Sequence, residues 1–205
     1  MKNSSEITFS HEWIYKLENR GHWTLYWHQL NLILNKSGLS KDAKIIEIGV
    51  GSGLTSSYLR RKGYQVTTLD IDENKNPDIQ ANIIEDELPE ADVYLAFEIF
   101  EHIPFESAKK VWKELAENKV DKLFFSIPHA HKTYFFAEYY LPKLGRKTIH
   151  IGRKRNYIHT KNHHWELGIN HITTDSIKQI FSDIGYTIDH SYRYRNHHFF
   201  AASLS

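Results

Sequence analysis

The run Lys-Ile-Ile-Glu-Ile-Gly-Val-Gly-Ser-Gly at residues 44–53 narrows the possible folds of this chain more than any other segment. Lys44 to Glu47 fits a short buried strand. Gly49, Gly51 and Gly53 then allow a bend too tight for side chains, and Leu54 to Arg61 reads as a helix. Strand, glycine turn and helix in that order is how an open α/β sheet offers backbone to a nucleotide-type ligand. The spacing is G-x-G-x-G. The dinucleotide fingerprint G-x-G-x-x-G would need glycine where Leu54 stands, and no Lys-Ser or Lys-Thr follows to make a P-loop. Gln65 to Leu69 predicts the next strand, and Asp70 closes it about 20 residues after the first glycine, where an acid can accept both hydroxyls of a ribose. A plain turn aspartate is the competing reading, and the glycine turn at the expected distance argues against it.

On these residues the chain resembles the class I S-adenosylmethionine-dependent methyltransferases. Glu47-x-Gly49-x-Gly51-x-Gly53 is similar to their first motif, Asp70 to their ribose acid, and Phe97-Glu98-Ile99-Phe100-Glu101-His102 to the segment after their fourth strand. The resemblance is strong over residues 42–128 and weaker beyond. It implies a Rossmann-like, doubly wound seven-stranded sheet whose last strand is antiparallel, and S-adenosylmethionine as cofactor. It is nearly silent about the acceptor.

The remaining pattern fits one domain over residues 1–205. A helical N-terminal segment is expected over 8–39, with one short helix around Trp13 to Leu17 and another from Trp23 to Leu34. Ala81 to Ile84 is expected as the third strand, Asp92 to Phe97 as the fourth and Lys122 to Ile127 as the fifth. Glu106 to Asn118 reads as an amphipathic helix. A second helix, capped by Thr173 or Thr174 and closed by Gly185, leads to a terminal hairpin of Tyr186–Arg193 and His198–Leu204. Residues 129–170 break this rhythm. They are expected to form an inserted cap for substrate, helical over the aromatic stretch Thr133 to Leu141, with a membrane-surface helix as the rival reading.

Candidate site residues follow from these positions. For the cofactor they are Glu47, Gly49, Gly51, Gly53, Asp70, Ile71 against the adenine face, Asn82 and Ile83 at its edge, and Phe97. Arg20 or His22 is placed to meet the methionine carboxylate. Methyl transfer from a sulfonium is an in-line displacement that needs alignment and exclusion of water, and a base only for a weakly acidic hydroxyl or a protonated amine. The candidate bases are His129 and His131 after the fifth strand, and His164. Glu98, Glu101 and His102 form E-x-x-E-H, which on one helical turn could bind a divalent ion with His163 as a further ligand. The small-RNA 2′-O-methyltransferases carry a similar cluster. Packing and hydrogen bonding remain the preferred roles for these side chains, with no metal favoured.

Composition excludes some chemistry. The 205 residues contain no cysteine, so disulfides, thiolate metal sites and a cysteine nucleophile for base-C5 methylation are ruled out. The segment after the fourth strand has no N-P-P-Y, which disfavours amino methylation of DNA bases. A net charge of +1 conceals an acidic stretch, 70–107, and a basic, histidine-rich one, 129–170. The start lacks a signal-type apolar core and no run is long enough to span a membrane, so a soluble cytoplasmic protein of unknown oligomeric state is expected. The leading reading is methylation of a small or lipid-like acceptor, most readily at oxygen. Metal-assisted RNA ribose methylation and a non-catalytic S-adenosylmethionine-binding module are the alternatives.

Overall fold

The computed structural model describes residues 10–36, 38–158 and 160–205. The first two positions of the expected N-terminal segment, 8 and 9, lie outside these. Helices α1 (His11–Leu17) and α2 (Arg20–Lys36) precede strand β1 (Lys44–Ile48), helix α3 (Leu54–Arg61) and strand β2 (Gln65–Asp70). Then follow β3 (Ile79–Gln80), β4 (Val93–Phe97), α4 (Phe105–Glu117) and β5 (Lys122–Pro128). After these come β6 (His131–Leu141), β7 (Gly145–Lys154), α5 (Thr174–Asp183), β8 (Tyr186–Tyr194) and β9 (His197–Leu204).

Seven strands form one sheet in the order β3-β2-β1-β4-β5-β9-β8. The first five run parallel, and β9 lies antiparallel between β5 and β8. Chain order reverses between β1 and β4, which opens a crevice at the carboxyl ends of those two strands, the usual ligand position of such sheets. The central strands are apolar on both faces because helices cover both. Side chains alternate across the sheet: Ile46, Tyr94, Ala96 and Phe125 face one core with Trp112 of α4 and Phe181 of α5. Ile45, Val93, Leu95 and Phe124 face the other with Leu32 and Ile33 of α2 and Leu59 of α3. Thr173 caps α5 through a reciprocal pair with Ser176.

Two expectations are corrected. The third strand is only Ile79–Gln80. Asn82 accepts the Ile84 amide at 3.0 Å through its side chain and the Asp86 amide at 2.9 Å through its carbonyl, so residues 82–86 form a turn instead. The expected helical cap is a two-stranded antiparallel hairpin, β6 with β7, apart from the main sheet, and the membrane-surface helix falls with it. Tyr134, Phe135, Phe136, Tyr139 and Tyr140 favour an extended chain, as do Thr148, Ile149 and Ile151 on the return strand. Pro142 precedes Lys143 at φ 73, and the Leu144 amide donates to the Leu141 carbonyl at 3.1 Å, which is a type II turn. Midway along the hairpin Phe136 packs edge-on to Tyr194 at 5.1 Å. No helix among the described residues is long and apolar enough to cross a membrane.

Candidate active site

A cleft of about 1200 Å³ opens at the crevice between β1 and β4. One end is the glycine loop. Gly49 donates its amide to the Leu69 carbonyl at 2.8 Å and holds φ 79, a left-handed conformation. A Cβ built there would lie 2.2 Å from Ile99 Cδ1, so this position must be glycine on two counts, backbone angle and space. At Gly51, with φ 56, a Cβ would meet nothing within 4 Å, so the backbone faces open room. Gly53 donates to the Val50 carbonyl and starts α3.

Asp70, at the end of β2, works on the loop itself. One carboxylate oxygen accepts the Val50 amide at 2.8 Å and the other the Asp72 amide at 2.9 Å. The sequence reading gave this residue only a ribose; the structure adds a bracing role. Tyr26 reaches from α2 to Ser52 at 2.7 Å, and buried Lys75 donates to the Gly51 carbonyl at 3.5 Å. Glu47 is buried beneath the loop. Burial pushes its carboxyl up to about 7, against hydrogen bonds from the Ser56 hydroxyl and amide. Its Oε2 has no hydrogen-bond partner among the described residues. An unpaired buried acceptor beside open backbone suits a ligand that brings a cation, such as the ammonium of a methionine moiety.

Of the expected cofactor set, Glu47, Gly49, Gly51, Asp70, Ile71, Asn82, Ile83 and Phe97 line the cleft, whereas Gly53 shapes it from behind. His22 lines it and Arg20 does not. Arg195 also lines it, set at φ 50 in the β8–β9 turn, with its guanidinium 5.3 Å from the Phe136 ring. No motif marks that cation in the chain, because only the terminal hairpin's folding back brings it here.

The other end of the cleft gathers ionisable groups. Glu98, at φ 56 directly after β4, accepts from the Ser126 hydroxyl at 2.7 Å and pairs with His197 at 2.9 Å. Burial alone would raise the Glu98 carboxyl and lower the His197 imidazole, but the pair overrides it and moves both the other way. Glu101 is 1% exposed. Burial and the neighbouring Glu98 raise its carboxyl well above the ordinary range. The His163-His164-Trp165-Glu166 string is stapled onto this turn: Trp165 Nε1 donates to the Phe100 and Ile103 carbonyls at 3.0 and 3.1 Å, and the His164 amide donates to the Glu101 carbonyl at 2.7 Å. Glu166, fully buried, receives Arg155 at 2.7 Å and His163 at 3.1 Å. The string 163–166 was expected near Glu98, Glu101 and His102 as a source of a further ligand, but Arg155, which holds Glu166 in place, was not among the expected site residues.

The expected bases divide. His164 lines the cleft, but His129 and His131 do not. The start of the hairpin carries those two toward His198 and Arg193 instead. Burial, reinforced by Arg193, pushes His129 down to about 4 and lowers His131, so neither is placed or poised as a base toward the cleft.

Comparison with known proteins agrees with this geometry. No curated protein sequence matches the chain. Magnesium protoporphyrin IX methyltransferase from Synechocystis PCC 6803, solved with bound S-adenosylmethionine, superposes with a TM-score of 0.60 at 15% identity, covering 99% of this chain and 88% of that one. A ribosomal protein L11 methylase from Lactobacillus delbrueckii subsp. bulgaricus gives 0.53 at 14%, covering 92% and 81%. A glycopeptide N-methyltransferase complexed with S-adenosylhomocysteine gives 0.55 at 12%, covering 86% and 89%. At such identities the likeness is one of fold, and the three named acceptors differ widely. The profile of the family described as "Methyltransferase domain" matches residues 20–191, from α2 through β8, and the chain belongs to that family.

Proposed function

We propose that this protein transfers a methyl group from S-adenosylmethionine to a small-molecule acceptor, with oxygen as the target atom. The observation that carries the reading is the single continuous cleft, running from the glycine loop and Asp70 to the imidazoles and carboxylates of Glu98, Glu101, His102, His163 and His164. The cofactor supplies an already activated methyl on a sulfonium. The chain's own residues would do the rest. The Gly49–Gly53 backbone and Asp70 would hold the adenosyl part, Glu47 would meet the ammonium, and Arg195 or His22 the carboxylate. Phe97 and Ile99 would exclude water from the line of transfer. His164, which lines the cleft, would take a proton from a hydroxyl. The porphyrin and glycopeptide named for two fold relatives are consistent with a small acceptor.

The test is calorimetry with S-adenosylmethionine and S-adenosylhomocysteine, followed by methyl-labelled turnover against a panel of hydroxylated and amino metabolites. Absence of cofactor binding refutes the reading. A product methylated at nitrogen refutes the choice of oxygen, and binding without any product favours a non-catalytic module. RNA ribose methylation is the second reading, favoured by the approach of Glu101, His102 and His163 and by the basic residues Lys132, Arg153 and Lys154 on the hairpin. RNA binding that weakens steeply with salt would promote it.

A further inference from the structure

Three buried or half-buried carboxylates meet at the acceptor end of the cleft; two are closely paired, and the third, Glu101, has His102 Nε2 at 3.9 Å from its Oε1. Glu98 has His197, and Glu166 has Arg155. Glu101 is the most enclosed of the cleft-facing pair, and its Oε2 has no hydrogen-bond partner among the described residues. Beside it stand two imidazoles in a specific orientation. His102 Nδ1 faces the Asn162 carbonyl at 2.9 Å, and His163 Nδ1 faces Glu166 Oε1 at 3.1 Å. A ring nitrogen aimed at a pure acceptor carries the proton, so in each neutral ring the lone pair sits on Nε2. This is the arrangement of metal-bound histidines, whose second nitrogen donates to a carbonyl or carboxylate. Here the outer layer is itself anchored, because Arg155 holds Glu166. One ligand atom from each of Glu101, His102 and His163 lies within 4.8 Å of the others. The two rings meet edge to face at 5.1 Å.

We propose that Glu101, His102 and His163 bind one divalent transition-metal ion, with coordination positions left open to the cleft. Two imidazoles and one carboxylate favour zinc over magnesium or calcium, which take oxygen ligands, and manganese serves as a paramagnetic probe of the same site. Three protein ligands rather than four is the pattern of a site that also takes a substrate or water. Glu98 is excluded from the set because His197 and Ser126 already hold its two oxygens. The ion balances the third carboxylate, and its open positions suit an acceptor with neighbouring hydroxyl or carboxylate oxygens. That last role rests on the methyl-transfer reading; the ion site itself does not.

The experiment uses the tag-free full chain, with manganese binding followed by electron paramagnetic resonance and zinc binding by calorimetry and elemental analysis. One ion per chain is expected. His102→Ala and His163→Ala should each weaken binding at least tenfold while S-adenosylmethionine affinity, measured on the same samples, shows that the fold is intact. Asn162 and Arg155 remain in both variants, so the surroundings of the site are preserved. No stoichiometric ion in a wild-type chain that binds S-adenosylmethionine overturns the proposal, since a protonated Glu101 would then satisfy the burial alone. Unchanged affinity in the double variant overturns it as well, by placing the ion elsewhere. Ion binding that survives in a chain unable to bind S-adenosylmethionine would sink the methyl-transfer reading and leave the ion site standing.

Discussion

Replacing Glu47 with glutamine should separate stability from ligand affinity in opposite directions. The carboxyl is buried under the glycine loop, and burial raises it from 4.5 to about 7. A group whose folded value exceeds its unfolded one binds its proton more tightly when folded. Stability is therefore highest below about pH 4.5, declines as pH rises, and levels off above about pH 7. At about 1.4 kcal/mol per pH unit, ionising this buried group costs about 3 kcal/mol at pH 8. Glu47→Gln removes that cost, and its amide oxygen can still accept from Ser56. In urea titrations without ligand, the variant should gain about 2–3 kcal/mol on the wild type between pH 5 and pH 8, with no further gain above pH 8. Its S-adenosylmethionine affinity should fall about tenfold or more at pH 8, because a charge-assisted bond to the ammonium is lost. A stability difference that stays constant with pH would refute the burial argument. Enhanced stability with unchanged affinity would refute the ammonium role alone.

Asp70→Ala should weaken S-adenosylmethionine by about 1–3 kcal/mol in calorimetry, since it loses the ribose contact and frees the Val50 and Asp72 amides; equal affinity would leave Asp70 as a loop brace only. Gly49→Ala should destabilise the protein by about 1–2 kcal/mol from its left-handed backbone, with a further cost from the clash with Ile99. Adding Ile99→Ala should recover the clash component and not the backbone one, which paired thermal melts would resolve. Arg155→Met takes the guanidinium away from fully buried Glu166 and should cost about 3–5 kcal/mol, whereas Arg155→Met with Glu166→Leu should recover most of it in the same denaturation assay. A double variant as weak as the single one would show that the pair is not acting as a unit.

The parallel half of the sheet was legible because its signals are local. A doubly buried strand such as Lys122–Pro128 is apolar but for Lys122 and Ser126, and the glycine loop announces itself by residue type. The cofactor end of the cleft was readable for the same reason: most of its residues lie in the loops directly after β1 and β2. The acceptor end was legible only in part: Glu98, Glu101, His102, His163 and His164 stand out by residue type, but their partners do not. Arg155 and His197 come from distant segments, and their arrival depends on Trp165 docking against the turn after β4 and on β9 folding back beside β5. Neither event leaves a periodic trace. The hairpin was misread because its strands are mostly exposed on both faces, so no alternation marks them. Pro142-Lys143 also lacks the Asn-Gly or Asp-Gly signature of a tight hairpin turn. His129 and His131 looked like bases because they follow a strand end, but the chain turns away there into β6.

The contact between Gly49 and Ile99 joins the floor under the two halves of the cleft. One residue belongs to the loop after β1 and the other to the turn after β4, and they touch with no slack. Drift at either site is thus constrained by its counterpart. A descendant of this chain that acquired bulk at 49 would have to shed it at 99, and in doing so would loosen the turn that presents Glu98 and Glu101. Changing acceptor preference by altering that turn would then disturb the donor's seat, so new specificities should arise more readily through the hairpin and the 155–166 segment, which can vary without lifting the floor.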